Sequence, residues 1–165
     1  NGDFRSPGGY DMEARDRWFA QAIVTSPAMF RRNAGAGSLY WLGLRDNTGA
    51  YLDGGRNYRL ILPTTVPAKL FWSVTVYDAQ TRSQVRTDQD KAALRSLFEL
   101  KDVAATGSES VTLSFGPTPP ASGGNEGRWI KTVPGRGWFA YIRIYGPEQA
   151  AFDGSWKPRD FEQVR

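Results

Sequence analysis

The segment WFAYIRIYGPE, residues 138–148, places a fixed positive charge in the middle of an aromatic strand. Because side chains alternate between the two faces of a β-strand, Arg143 shares a face with Tyr141 and Tyr145. The other face of this strand is apolar and typical of a core. A guanidinium presents its donors in a flat fork that suits a carboxylate, a phosphate or sugar oxygens. The polar face is therefore a candidate surface for an anionic or polyhydroxyl ligand.

A second strand, AKLFWSVTVYD at residues 68–78, has the same mixed character. Trp72, Val74 and Val76 point to one side, and small hydroxyl and aromatic side chains point to the other. If the two strands are neighbours, one sheet face carries both polar sets. That face would present Ser73, Thr75, Tyr77, Tyr141, Arg143 and Tyr145.

Two interpretations of Arg143 compete. A half-buried guanidinium needs a partner, because an unpaired buried charge costs on the order of several kcal/mol. In the first interpretation the partner is a carboxylate of the same chain, with Asp78, Asp153 or Glu148 as candidates. In the second the partner is a ligand. Buried arginine pairs in β proteins are mostly structural, so the internal pair is the favoured interpretation.

Two tryptophans are candidates for stacking on a sugar ring. Trp129 follows a glycine-rich loop and Trp156 lies near the C-terminus, where a ring can be exposed. Packing in the core explains most of the other tryptophans. The candidate ligand-binding residues are thus Arg143, Tyr145, Tyr141, Tyr77, Thr75, Trp129 and Trp156.

The residue types that are absent exclude several mechanisms. The chain has no cysteine and no histidine, so it contains no Ser-His-Asp triad, cysteine nucleophile or Cys/His zinc site. Any catalysis would use carboxylates, Lys, Tyr, Ser or Thr, or a hard metal on oxygen ligands. No pair of acidic residues shows the pattern of a glycosidase. We therefore expect no metal and no cofactor, and no catalytic residue is assigned.

Charge and hydropathy argue against nucleic acid as a partner and against a membrane-spanning segment. The net charge is +4, and basic and acidic residues are interspersed rather than clustered, which does not predict a nucleic-acid surface. No apolar run is long enough for a membrane span. The first residues are Asn-Gly-Asp without an initiator Met, which leads us to expect a processed product or a part of a longer protein.

The elements that must position these residues are mainly strands. Asp11 is a predicted N-cap of a helix that ends or kinks at Ser26–Pro27. Period-two patterns and turn residues predict strands at 38–46, 57–63, 68–78, 110–117, 128–134 and 138–148. A second helix is predicted near 88–97, capped by Thr87 and Asp90; the alternative is a loop that enters a strand at 97–100. These elements predict a mainly β fold, a jelly-roll-like β-sandwich with an N-terminal helix and one further short helix.

The chain also resembles a bacterial family, the domain of unknown function 1214. The resemblance lies in YWLGLRDNTGAYLDG (40–54), FWSVTVYD (71–78), GNEGRWIKTVPG (124–135) and WFAYIRIYGPEQAAFDGSWKP (138–158). It implies that residues 1–37 are a linker and helix leading from a missing N-terminal domain, the domain of unknown function 1254, and that 38–165 form the sandwich. It also implies an extracytoplasmic location, periplasmic or secreted, and no assigned activity.

Three hypotheses for the function remain open. The first is a non-catalytic or accessory domain of an exported two-domain protein, with carbohydrate as the candidate ligand. The second is one part of an enzyme, hydrolase-like, whose active site is shared with the N-terminal domain, with Arg143, Tyr145, Tyr77, Asp78 and Lys131 as contributors. The third is a structural domain that forms a homo-oligomer.

Overall fold

The computed structural model describes residues 5–6, 9–14, 16–17, 20, 34–103, 107–120 and 126–164. Contacts within the chain define two units, Asn1–Asn33 and Ala34–Arg165. Helices within the described ranges are all too short or too polar to cross a membrane.

The first unit contains a short hairpin and a helical segment. Its described helical residues are 12–14, 16–17 and 20, and the hairpin pairs β1 (Arg5–Ser6) with β2 (Gly9–Tyr10). Asp11 caps the helix as predicted, because its Oδ1 accepts a hydrogen bond from the Ala14 amide at 2.8 Å. The predicted helix end at Ser26–Pro27 lies outside the described residues.

The second unit is mainly β and consists of two four-stranded sheets. The first sheet has the order β3-β9-β5-β6 and is antiparallel throughout. The second has the order β10-β4-β7-β8, with β7 and β8 parallel. The strands are β3 (Ser38–Gly43), β4 (Asn57–Pro63), β5 (Ala68–Asp78), β6 (Ala93–Arg95), β7 (Ser110–Gly116), β8 (Trp129–Lys131), β9 (Trp138–Pro147) and β10 (Glu162–Val164). Among the described residues of this unit, short 3-10 helices lie at Glu126–Arg128 and Gln149–Ala151.

One hydrophobic core is shared by the two sheets. Val74 and Ile144 of the first sheet and Leu60 and Leu113 of the second are all fully buried members of it. Burial alternates along β4 and β7, as the period-two patterns predict, whereas Ser73 and Thr75 on the outer face of β5 are buried as well. The apolar face of β9 therefore packs inward, and the face that carries Arg143 points away from the core.

Most strand predictions are confirmed, and β4 and β5 have the predicted bounds. The first predicted strand ends earlier, at Gly43, and the chain continues in isolated bridges of Arg45 with Tyr51 and of Asp46 with Phe161. Residues 46–49 form a turn after this strand, in which the Gly49 amide donates to the Asp46 carbonyl at 2.9 Å.

The predicted helix at 88–97 is wrong, and so is the alternative strand at 97–100. Residues 93–95 form β6, in which the fully buried Leu94 lies opposite Val74 of β5. Asp90 has a φ of +50°, which a helix does not tolerate. Thr87 Oγ1 accepts from the Gln89 amide at 3.3 Å and closes a local turn. Pairing with the exposed edge of β5 outweighs the helical spacing of the leucines.

Candidate functional site

A concavity of about 630 Å³ lies on the outer face of the first sheet. Ser73 and Thr75 of β5 are buried at its base. One side is formed by Phe71, Arg143 and Tyr145 on β5 and β9. The other side is the segment 84–99, which contributes Gln84, Gln89, Asp90, Lys91, Arg95 and Glu99 among others. We call this feature the outer concavity.

The predicted polar face is confirmed, because β5 and β9 are neighbours. Their register places Ser73 opposite Arg143 and Thr75 opposite Tyr141. The Tyr145 ring stacks on Phe71, with centroids 4.1 Å apart and planes 15° from parallel. Antiparallel pairing thus brings the hydroxyls, the guanidinium and an aromatic pair onto one surface.

Arg143 is held by aromatic residues. Its Nη2 donates a hydrogen bond to the Tyr77 hydroxyl. Its guanidinium carbon lies 5.5 Å from the centre of the Tyr40 ring and 5.8 Å from that of Tyr77, within cation–π range. Its Nε is buried and has no hydrogen-bond partner among the described residues. The guanidinium is therefore fixed in place but only partly satisfied.

The internal ion pair favoured from the sequence is not formed with any of the three expected carboxylates. Asp78 Oδ2 instead accepts from Arg136 Nη1 at 2.6 Å. Asp153 accepts from the Ser155 amide at 2.9 Å, and the Glu148 side chain does not cap the helix that it precedes. Within the described ranges, no carboxylate lies in ion-pair distance of Arg143.

Two cations lie on the opposite side of the outer concavity. Arg95 is paired with Glu99, whereas the charged form of Lys91 is poorly solvated. Glu99 Oε2 accepts from the Arg95 amide at 2.9 Å and from its Nε at 3.1 Å, and Oε1 pairs with Nη2. Burial works to raise the pKa of Glu99, but the hydrogen bonds from Arg95 outweigh it, so the pKa is lowered. Burial lowers the pKa of Lys91, and Glu99 offsets only part of this effect.

The seven sequence-predicted residues do not all meet at one place. Arg143, Tyr145 and Thr75 line the outer concavity, and Tyr77 and Tyr141 lie on the same face beside it. The two tryptophans do not join them.

Trp129 belongs to β8 in the second sheet, is half-buried and donates from Nε1 to the Gly116 carbonyl at 3.1 Å. Trp156 is 6% exposed and packs edge-on against Trp41 at 6.3 Å, so its ring is not available for stacking on a ligand. The exposure expected of a sugar-stacking tryptophan is therefore not met at Trp156.

Sequence reasoning missed Lys91, Arg95 and Glu99, because it assigned the first two to a helix at 88–97 and offered only the alternative strand 97–100 for Glu99. One signal for them exists. Residues 91–95 alternate Lys91, Ala93 and Arg95 with Ala92 and the buried Leu94, which is the period of a strand. No group of three or more acidic side chains is placed to hold a metal ion in the part of the chain that the structure describes. The chemistry that this arrangement supports is the binding of a polar ligand.

The fold and this surface define a mainly β domain of two sheets with a polar concavity on the outside of one of them. The chain belongs to the family described as "Protein of unknown function (DUF1214)", whose model matches residues 37–149. The resemblance inferred from the motifs is thereby confirmed.

Two solved structures are similar to this chain. The crystal structure of the VPA0106 protein from Vibrio parahaemolyticus matches with a TM-score of 0.65 and 18% identity, over 89% of this chain and 35% of that chain. The structure of a putative uncharacterized protein from Burkholderia cenocepacia matches with a TM-score of 0.41 and 14% identity, over 93% and 43%. The chain therefore spans about a third of the length of the Vibrio structure. No curated protein matches it.

Proposed function

We propose that this domain is a non-catalytic ligand-binding module of a longer, exported bacterial protein, and that the outer concavity is its binding site. The observation that carries the proposal is the state of Arg143, whose guanidinium is fixed but has no carboxylate partner among the described residues. It lies at a concavity whose floor is formed by the hydroxyl residues Ser73 and Thr75. A cation in this state is set up to bind a ligand, since the Tyr77 hydroxyl uses only part of its hydrogen-bonding capacity and no carboxylate of the described residues neutralises its charge.

Carbohydrate is the ligand class that the aromatic side of the concavity favours. The stacked rings of Tyr145 and Phe71 offer an apolar wall for a sugar ring. Ser73 and Thr75 line the same space and can exchange hydrogen bonds with sugar hydroxyl groups. A volume of about 630 Å³ falls within the ordinary range of small-molecule sites.

The enzyme hypothesis receives less support from the geometry. Lys131 Nζ pairs with Asp88 at 2.6 and 2.8 Å, and Asp78 pairs with Arg136. Both residues are therefore already engaged in ion pairs within this chain.

The remainder of a longer protein is the partner that we propose for the edge strand β3. Tyr40 and Leu42 on this strand are 53% and 50% exposed, and one relative of known structure is about three times as long. Hydrogen exchange of the β3 amides should be slower in the longer protein than in this chain. Equal exchange rates in both would contradict this contact.

A jelly-roll order of the two sheets also belongs to the proposal and is supported by the repeated crossing of the chain between them.

The binding site is tested by titration calorimetry against a panel of neutral and acidic mono- and oligosaccharides. Tyr145→Ala removes half of the aromatic wall, and Tyr51→Ala removes an exposed ring that does not line the concavity. We expect binding to at least one glycan that Tyr145→Ala weakens about tenfold and Tyr51→Ala leaves unchanged. A glycan that binds equally to both variants would overturn the assignment of the site.

A further inference from the structure

We infer that the outer concavity selects a ligand that carries an oxyanion, a carboxylate or a phosphate, next to hydroxyl groups. This inference rests on the proposed function, because it names the ligand class of the same site. A hydroxylated acid such as a sugar acid has this chemistry.

The first support is the balance of charge around the concavity. Three cations and two carboxylates line it, which leaves one net positive charge: Lys91, Arg95 and Arg143 against Asp90 and Glu99. Arg95 and Glu99 satisfy each other through three hydrogen bonds, as described above. The excess positive charge therefore belongs to the other two cations.

Among the described residues, no carboxylate lies within ion-pair distance of Lys91 or Arg143. Lys91 Nζ donates to the Gly127 carbonyl at 3.3 Å, a neutral acceptor. Burial lowers the pKa of Lys91, which means that its charged form is poorly solvated. An anion in the concavity would improve the environment of both cations, whereas a neutral ligand would leave their charges uncompensated.

The second support is the rigidity of Arg143. The Tyr77 hydroxyl fixes one end of the guanidinium, and the Tyr40 and Tyr77 rings flank it. A guanidinium that is held before the ligand arrives loses little conformational entropy on binding, and its planar fork matches the geometry of an oxyanion. Ser73, directly opposite Arg143, and Thr75 bring hydroxyl groups to the base of the same space.

The test is titration calorimetry of this chain with glucuronate, glucose and inorganic phosphate at pH 7. Three variants each remove one positive charge: Arg143→Gln, Lys91→Gln and, as the matched control, Arg45→Gln. Arg45 lies on the hairpin after β3, contacts the Gly49 carbonyl and the Tyr51 ring, and does not line the concavity. Because Lys91 contacts a backbone carbonyl near the surface, Lys91→Gln tests the inference even if Arg143→Gln fails to fold.

We expect glucuronate to bind about tenfold more tightly than glucose, and added salt to weaken the binding. Arg143→Gln should weaken glucuronate about tenfold or more and Lys91→Gln about threefold or more, with no change for Arg45→Gln. Binding of phosphate with the same variant pattern supports the oxyanion and identifies phosphate as its source. Equal binding of glucose and glucuronate would contradict the selectivity for an oxyanion but would agree with the proposed glycan-binding function. If neither glucuronate nor phosphate binds, or if Arg45→Gln weakens them as much as Lys91→Gln, the inference is also wrong.

Discussion

Arg143 donates a hydrogen bond to the Tyr77 hydroxyl across two rows of the first sheet. The register places Arg143 opposite Ser73 and Tyr77 opposite Phe139, so the bond passes over the intervening pair of Thr75 and Tyr141. Neighbouring same-face positions along a strand are about 6–7 Å apart, so this bond covers two such intervals, about 13 Å, which only two long side chains that lean toward each other can bridge. Thr75 is short and buried, so the bond closes one side of the outer concavity over it.

Removal of the Tyr77 hydroxyl should destabilise the domain while the sheet stays intact. Tyr77→Phe keeps the stack on Phe139, whose centroid lies 5.2 Å away, and loses the acceptor for Arg143. A hydrogen bond to a charged group contributes about 1.5–3 kcal/mol, so the free energy of unfolding should fall by about that amount. Urea denaturation measures it.

The matched control for that variant is Tyr51→Phe. Tyr51 is 65% exposed and contacts Arg45 through its ring at 3.9 Å. The free energy of unfolding of the Tyr51→Phe variant should differ from that of the parent chain by less than about 0.5 kcal/mol. If the two variants lose equal stability, the Tyr77 bond is not a stabilising contact.

A pair of leucines distinguishes the observed strand β6 from the helix that the sequence predicts. Leu94→Ala should lower the free energy of unfolding by about 2–4 kcal/mol, since Leu94 is fully buried in the core opposite Val74. Leu97→Ala should cost less than about 0.5 kcal/mol, because Leu97 is 58% exposed. On a helical face both leucines would be buried. Comparable losses in chemical denaturation would therefore favour the helix over the strand.

The contrast between these segments shows what a single sequence can predict here. The bounds of β5 follow from local alternation of Trp72, Val74 and Val76 with polar residues, and the polar face of β9 follows in the same way. Whether the two strands are neighbours did not follow from the sequence; the sequence indicated which residues would share a face if they were, and the register of β5 and β9 confirms that face.

The missed features depend on contacts between residues that are distant in sequence. Leu94 has helical spacing to Leu97, and only the pairing of residues 93–95 with β5 decides for a strand. Trp156 is withdrawn from the surface by Trp41, which is more than a hundred positions earlier in the chain. The outer concavity itself exists only because the segment 84–99 returns to the edge of β5, which no local pattern specifies.

Acid should weaken the domain through Asp78. Its Oδ2 accepts from Arg136, and its Oδ1 accepts from the amides of Gln80 and Thr81 at 2.8 and 2.9 Å. The Arg136 hydrogen bond, followed by that from Thr81, lowers the pKa of Asp78 from 3.8 to about 2. The folded pKa is below the unfolded one, so the stabilisation is complete well above pH 3.8 and is lost as the pH falls toward 2. We expect about 1–2 kcal/mol, since Arg136 is partly exposed to solvent.

The measurement is the free energy of unfolding of the parent chain and Asp78→Asn as a function of pH. The parent should be more stable near pH 7, and the difference should shrink between pH 4 and 2, the interval set by the two pKa values. Asp88→Asn is the control, because Asp88 is an exposed partner of Lys131, and its effect should be much smaller. A difference between parent and Asp78→Asn that stays constant down to pH 2 would show that the charge of Asp78 does not contribute.

The turn before β4 should tolerate no side chain at Gly54. A Cβ there would lie 2.1 Å from the Val133 carbonyl oxygen and 2.8 Å from that of Arg136, and both are backbone atoms. The backbone cannot move away easily, because Gly54 donates to the Arg136 carbonyl at 2.8 Å and accepts from Thr132 Oγ1 at 2.8 Å. Gly54→Ala should therefore lower the free energy of unfolding by about 2 kcal/mol or more, measured by urea denaturation.

Gly127→Ala is the matched substitution, since no atom lies within 4 Å of the position that its Cβ would take. It should leave stability unchanged or raise it slightly, because alanine restricts the unfolded chain. The Gly54 contacts also hold the segment that leads into β9, where Gly137 forms a bridge with Asp53. A loss at Gly54 should thus be accompanied by faster hydrogen exchange at the start of β9, the strand that carries Arg143. If Gly54→Ala is as stable as Gly127→Ala, the backbone at Gly54 does not lie as close to the carbonyls of Val133 and Arg136 as the structure shows.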